Sequence, residues 1–199
     1  MAGAISLQRN IAGMDRDLAR LMTSRRKCRC CGATFAQLLS LEYDRPDMCP
    51  PDLPKLDNSA LFLETGDVLT EDFCRLEDYR FIRSVMSLPL GHTEHEFVLG
   101  IWCAVSPDHF DTYADLFDEQ ETDELGVVPG WLSSAVPPGS EIPVAANLHM
   151  LPGDQRPELE VTDKSSPLRD LQKHGLTLVD ILELLHAFGH DLPSLVHDA

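Results

Sequence analysis

The most regular alternation of polar and apolar residues lies in the middle of the chain. Tyr79–Leu88 and Phe97–Val105 are extended apolar runs separated by the polar Gly91-His92-Thr93-Glu94-His95, a pattern that predicts a β-hairpin with a longer loop. In the second run Phe97, Leu99, Ile101, Cys103 and Val105 share one face, while Val98, Trp102 and Ala104 share the other. Both faces are therefore expected to be covered, which places the strand centrally. Shorter strands are expected at Leu61–Glu64, Phe73–Glu77, Ile142–Met150 and Glu158–Val161.

Helical periodicity appears at both ends and after the hairpin. Leu7, Ile11, Met14, Leu18 and Leu21 recur at steps of four and three, which predicts an amphipathic helix over residues 1–27. Ser106-Pro107-Asp108 is a helix start, with a capping hydroxyl, Pro in the first turn and an acid beside the dipole. That helix should turn Phe110, Tyr113, Ala114 and Phe117 inward. Pro167–Lys173, closed by Gly175, reads as a short helix. Thr177 followed by Asp180 approximates a capping box, opening a helix with Leu178, Ile181, Leu182 and Leu185 buried and an end near Gly189. Residues 44–58 hold four prolines, so neither helix nor central strand forms there. The expected fold is α+β: a mainly antiparallel sheet with flanking helices. It forms a single domain over residues 28–199, preceded by the basic N-terminal helix.

Composition adds limits. At 199 residues, with 43% hydrophobic and 25% charged positions, the chain is an ordinary globular protein with enough length for a core. Its net charge of −17 argues against broad affinity for nucleic acid or anionic membranes. Residues 1–29 hold seven Lys/Arg against two Asp, giving +5 and leaving −22 on the rest. This asymmetry reads as a solvated basic helix before an acidic domain, or as an arm docking on an acidic surface. No apolar stretch approaches membrane-helix length, and no signal-peptide core opens the chain. The expected setting is a reducing cytoplasm, where the six cysteines stay thiols or hold metal.

The chemically richest segment is Lys27-Cys28-Arg29-Cys30-Cys31-Gly32. Cys28 and Cys31 are spaced so that two thiolates meet one tetrahedral ion, with Gly32 permitting the tight turn. No second pair follows, and Cys49, Cys74 and Cys103 stand alone. Cys103 alternates into the central strand as a core thiol. Plain structural cysteines are the simplest reading; Cys28, Cys31 and Cys74 are the candidate metal ligands and zinc the candidate cofactor, with Cys49 or a distant histidine as further ligands, and a reactive dithiol is the third alternative. Glu183, His186 and His190 fall along the last predicted helix but miss the His-Glu-x-x-His order, so a solvent-facing histidine pair is the simpler reading. Serine-elbow, phosphate-loop and dinucleotide motifs are absent. Arg83 lies in an otherwise apolar strand and needs a carboxylate, with Asp72 or Asp78 as candidates, or a ligand. Arg83, Trp102 and Trp131 are accordingly the candidate ligand-binding residues.

A family resemblance joins these segments. It runs through Cys28-x-x-Cys31-Gly32, Leu69–Cys74, Tyr79–Arg83 leading to Leu88-Pro89-Leu90, Phe97–Trp102, Gly130-Trp131-Leu132 and Gln155-Arg156-Pro157. In that order they resemble the bacterial family called domain of unknown function 2199, over roughly residues 28–188. The resemblance implies a bacterial origin and a compact α+β domain, and supplies no activity. It also implies a histidine shortly after the knuckle, where this chain has Ala33-Thr34-Phe35. The expected function is a non-catalytic interaction or binding module, with a protein partner of basic surface. The alternative is a zinc-binding module or metal-dependent enzyme using the Cys28/Cys31 knuckle.

Overall fold

The computed structural model describes residues 18–91, 93–137 and 142–192. Leu7, Ile11 and Met14 of the expected first helix, and His92, lie outside the described residues. The helix end that is described, α1 (18–23), buries Leu18 and Leu21 in the main core.

The spine is the expected hairpin, β4 (Tyr79–Pro89) and β5 (Glu96–Val105), paired antiparallel from Arg80↔Val105 to Pro89↔Glu96. Each of these long strands divides its second edge between two partners. Along β5, the parallel strand β1 (Ser40–Glu42) takes Val98–Gly100, and β6 (Val127–Leu132) takes Cys103 and Ala104. Along β4, β3 (Phe73–Leu76) takes Tyr79–Ile82, and β8 (Glu158–Val161) pairs in parallel at Val85↔Glu158. β7 (Val144–His149) lies antiparallel between β6 and β8, while β2 (Val68–Leu69) extends β3.

The path β4–β5–β6–β7–β8–β4 therefore closes on itself. The expected open, mainly antiparallel sheet is corrected to a closed barrel of mixed strands with β1 and β3–β2 splayed from it. The strict alternation of exposed and buried positions along β6 and β8 marks strands with one inner face, as a barrel requires. Closure removes the unpaired edges that an open sheet would present.

The two faces of β5 divide as its pattern predicts. Phe97, Leu99, Ile101 and Cys103 belong to the large inner core, and Trp102 to a smaller outer cluster with Cys49, Leu69, Cys74, Leu76 and Phe81. α3 (Pro107–Glu119) starts at Ser106, whose hydroxyl accepts from the His109 N–H, and buries Phe110, Tyr113 and Ala114. Phe73 meets Phe110, Tyr113 and Phe117 at ring distances of 5.7, 5.8 and 5.2 Å. Removing one such fully buried ring costs about 3–5 kcal/mol.

α4 (Pro167–His174) and α5 (Leu178–Ala187) also form as expected. In α5 the Thr177–Asp180 capping box is complete, and Leu184 is buried where Leu182 was expected. The strand expected at Leu61–Glu64 is instead a helical turn, α2 (Ala60–Leu63). The amides of Ala60 and Leu61 bond back to the carbonyls of Asp57 and Asn58, and this turn overrides an apolar run too short to declare its period. Among the described residues, no helix is long and apolar enough to cross a membrane.

Candidate metal centre

The segment 27–34 folds back on itself. Lys27 bridges Thr34, the Cys28 N–H donates to Ala33 O at 2.7 Å, and the Gly32 N–H donates to Cys28 O at 2.9 Å. Gly32 sits at φ 76°, a conformation that a side chain disfavours, so the glycine permits the turn that carries Cys30 and Cys31. Cys28 is buried, while Cys30 and Cys31 are exposed.

The end of α5 delivers the fourth group. Gly189 has φ 77°; its N–H donates to His186 O, and the His190 N–H donates to Leu185 O. This pair of bonds is the left-handed glycine stop that turns a chain sharply off its helix. His190 is thus beyond the helix and not stacked four residues above His186, which removes the expectation of a solvent-facing pair. The Arg29 N–H donates to Asp191 O at 2.9 Å, and the two side chains form an ion pair at 3.4 Å. These contacts fasten the hairpin to the turn.

Cys28, Cys30, Cys31 and His190 offer ligand atoms that all lie within 4.8 Å of one another, the one such group among the described residues. The His190 Nδ1 is 3.8 Å from the Cys28 Sγ, 3.8 Å from the Cys30 Sγ and 3.5 Å from the Cys31 Sγ. With Zn–S near 2.3 Å and Zn–N near 2.0–2.1 Å, a tetrahedral site has sulfur–nitrogen edges of about 3.6 Å and sulfur–sulfur edges of about 3.8 Å. The three measured distances to nitrogen match that edge. Cys28 Sγ and Cys30 Sγ are closer, at 3.0 Å.

That short contact polarises the pair. A hydrogen bond from the Cys30 thiol, aided by backbone amides of Cys31 and Cys30 and by the His190 ring, pulls the Cys28 thiol down from 9.0 to about 5. The same shared proton pushes Cys30 up. Cys28 is then a thiolate at neutral pH, the form that binds metal.

Of the expected ligands, Cys28 and Cys31 are in this group and Cys74 is not. Cys74 is buried beside Cys49 in the outer cluster under Trp102, and both thiols are pushed up chiefly by burial. Cys103 is the expected core thiol, pushed up to about 12 by burial. Cys30 and His190 are the candidate ligands that spacing alone did not select.

Arg83, Trp102 and Trp131 do not line one concavity. Arg83 is buried, with its Nη2 2.6 Å from Glu42 Oε2 and its Nη1 donating to Glu71 O at 3.1 Å. The Glu42 contact is a close ion pair without the alignment of a hydrogen bond, and Arg83 Nε has no partner. The expected carboxylate partners are corrected: Glu42 takes that role, and Asp72 pairs with Arg156 at 2.7 Å. The Arg83 Cζ stands 5.8 Å from the centre of the Trp102 ring, and the Trp102 Nε1–H donates to Tyr43 O. Trp102 is fully buried, whereas Trp131 is 53% exposed in an open cleft.

The family model described as an uncharacterized protein conserved in bacteria, DUF2199, matches residues 27–176. No curated protein and no solved structure matches the chain. The matched stretch contains the three clustered cysteines and stops short of His190.

Proposed function

For a chain that belongs to the DUF2199 family, we propose the role of a non-catalytic binding module whose two ends are held together by a structural zinc ion. The observation that carries this reading is the convergence of three thiols and one imidazole from positions about 160 residues apart. Four protein donors fill a tetrahedral shell, and a shell without an open position holds structure instead of activating water. Cys28, Cys30, Cys31 and His190 would hold the ion. The ion would supply a link between the 27–34 hairpin and the turn after α5.

This link would add to the Arg29–Asp191 contacts and the packing that already hold the turn. Phe188 and Leu192 pack at the border of the main core, and Tyr43 meets Phe188 edge-on at 4.8 Å. Structural zinc in small modules contributes on the order of 10 kcal/mol of binding free energy, which becomes folding free energy when the site forms only in the folded chain. The net charge of −17 favours partners of basic surface, whose approach it would steer.

Metal analysis of protein purified without an affinity tag tests the clasp. One zinc per chain is expected, with chelation lowering the melting temperature and His190→Ala losing zinc to a chelator that wild type resists. Metal-free protein with an unchanged melting temperature after zinc addition would overturn the clasp. An oxygen ligand in the zinc shell would turn the reading toward a metal-dependent enzyme.

A further inference from the structure

The register of the barrel sets a row of four side chains across four neighbouring strands. Phe81 on β4 faces Ala104 on β5, Ala104 faces Trp131 on β6, and Trp131 faces Ala145 on β7. Residues directly opposite one another share a face of a sheet, so this row runs large, small, large, small along the outer wall. Neighbouring strands lie about 4.8 Å apart, which puts the backbones of Phe81 and Trp131 roughly 10 Å apart with only a methyl group between them. Phe81 is fully covered and forms the floor of this row, so the open ring is that of Trp131 beside the Ala104 methyl, and stacked rings sit with centres about 4.5–7 Å apart.

This row lines a cleft of about 870 Å³, within the size range of small-molecule sites. Nine large hydrophobic side chains are exposed among the described residues, and four of them, Met48, Tyr79, Trp131 and Ile142, border this one cleft. Apolar surface gathered in this way marks a binding face, whereas scattered apolar residues need no explanation.

Charge narrows the occupant. The chain carries 33 acidic and 16 basic residues, yet among the described residues no Asp, Glu, Lys or Arg lines the cleft. Its one titratable imidazole, His109, is held through Nδ1 by Ser106 Oγ at 2.9 Å. An anionic ligand would find no cation there, and a cationic ligand no carboxylate. Asn147, paired with Pro129, lines the cleft and offers an amide for orientation. We propose that this cleft binds a small, uncharged molecule with a flat ring system, stacked on the exposed Trp131 ring over Ala104. This inference stands apart from the zinc clasp and uses none of its residues.

The test uses two fluorescent probes that share a framework, uncharged N-phenyl-1-naphthylamine and its sulfonated relative 8-anilino-1-naphthalenesulfonate, titrated into the full chain. Saturable binding of the uncharged probe at one site per chain is expected, at least tenfold tighter than binding of the sulfonate. Trp131→Ala and Ala104→Leu, which remove the stacking ring and fill the space beside it, should each weaken binding at least tenfold. Far-UV circular dichroism checks folding, and if Ala104→Leu does not fold, the exposed Trp131→Ala decides. No binding, equal affinity for the two probes, or a Trp131→Ala protein that binds as wild type would each overturn the proposal. So would sedimentation revealing a dimer that Trp131→Ala abolishes, because the occupant would then be a second copy of the chain.

Discussion

Adding one methyl group at Gly130 should loosen the barrel at the short seam between β5 and β6. A Cβ there would lie 2.6 Å from Cys103 Sγ, 2.7 Å from Ala104 O and 3.3 Å from Val105 Cγ1. The thiol can rotate, but the carbonyl is backbone, so relief to an ordinary contact near 3.4 Å requires strand β6 to retreat from β5 by about 0.7 Å. Only two residue pairs join these strands, Cys103↔Leu132 and Ala104↔Trp131, and they complete the barrel between β5 and β6. Overpacking costs about 1–3 kcal/mol, and each weakened hydrogen bond about 1 kcal/mol, so Gly130→Ala should cost about 3 kcal/mol in total. In a domain of this size 1 kcal/mol moves the melting temperature by about 2–4 °C, giving an expected drop of about 6–12 °C. Thermal denaturation followed by circular dichroism measures it. Gly66→Ala, where a Cβ meets nothing within 4 Å, serves as the control and should stay within about 2 °C of wild type. If both variants melt together, the seam does not close the barrel in the way argued above.

Three further outcomes follow from the same geometry. Because Cys28 in the folded chain titrates at about 5 and not 9.0, its thiolate contributes stability fully present above pH 9 and lost as pH falls through 5. Ultraviolet thiolate absorbance of the chelator-treated protein should therefore show a step near pH 5 worth one thiol, and Cys28→Ser should delete that step; a wild-type protein with no such low step would refute the assignment. Glu42→Gln strips the counter-charge from the buried Arg83 and should lower the unfolding free energy by about 1–2 kcal/mol, read as a lower urea midpoint at unchanged slope, a loss tempered by solvent around the half-exposed Glu42. An unchanged midpoint would mean that Glu71 O and the Trp102 face suffice for Arg83. Cys74→Ser should keep its zinc and Cys31→Ser should not, as read by elemental analysis; parallel loss in both would put Cys74 back among the ligands.

Much of the fold is legible in the sequence where signals are local. The β4–β5 hairpin follows from its alternation and polar loop. The starts of α3 and α5 follow from Ser106 and Thr177, whose side chains cap neighbouring amides. Barrel closure is not local: it rests on pairs such as Val85↔Glu158 and Cys103↔Leu132, and nothing in either segment's own periodicity names its partner. α2 reads as a strand in the sequence because four apolar residues fit either period. At the candidate metal centre, the Cys28/Cys31 spacing points to half of the four converging groups. Cys30 was obscured by its neighbour Cys31, and His190 by being counted as a continuation of α5. The usable signal was Gly189: a glycine that ends a helix redirects the next residue, and here the next residue is a histidine.

X-ray absorption at the zinc edge of the purified protein reads the ligand shell itself. Three sulfur neighbours near 2.3 Å and one nitrogen near 2.0 Å are predicted, the nitrogen being lost in His190→Ala. A shell of nitrogen and oxygen alone, or four sulfurs with no change on replacing His190, would contradict the convergence of the 27–34 hairpin and the turn after α5 on one ion.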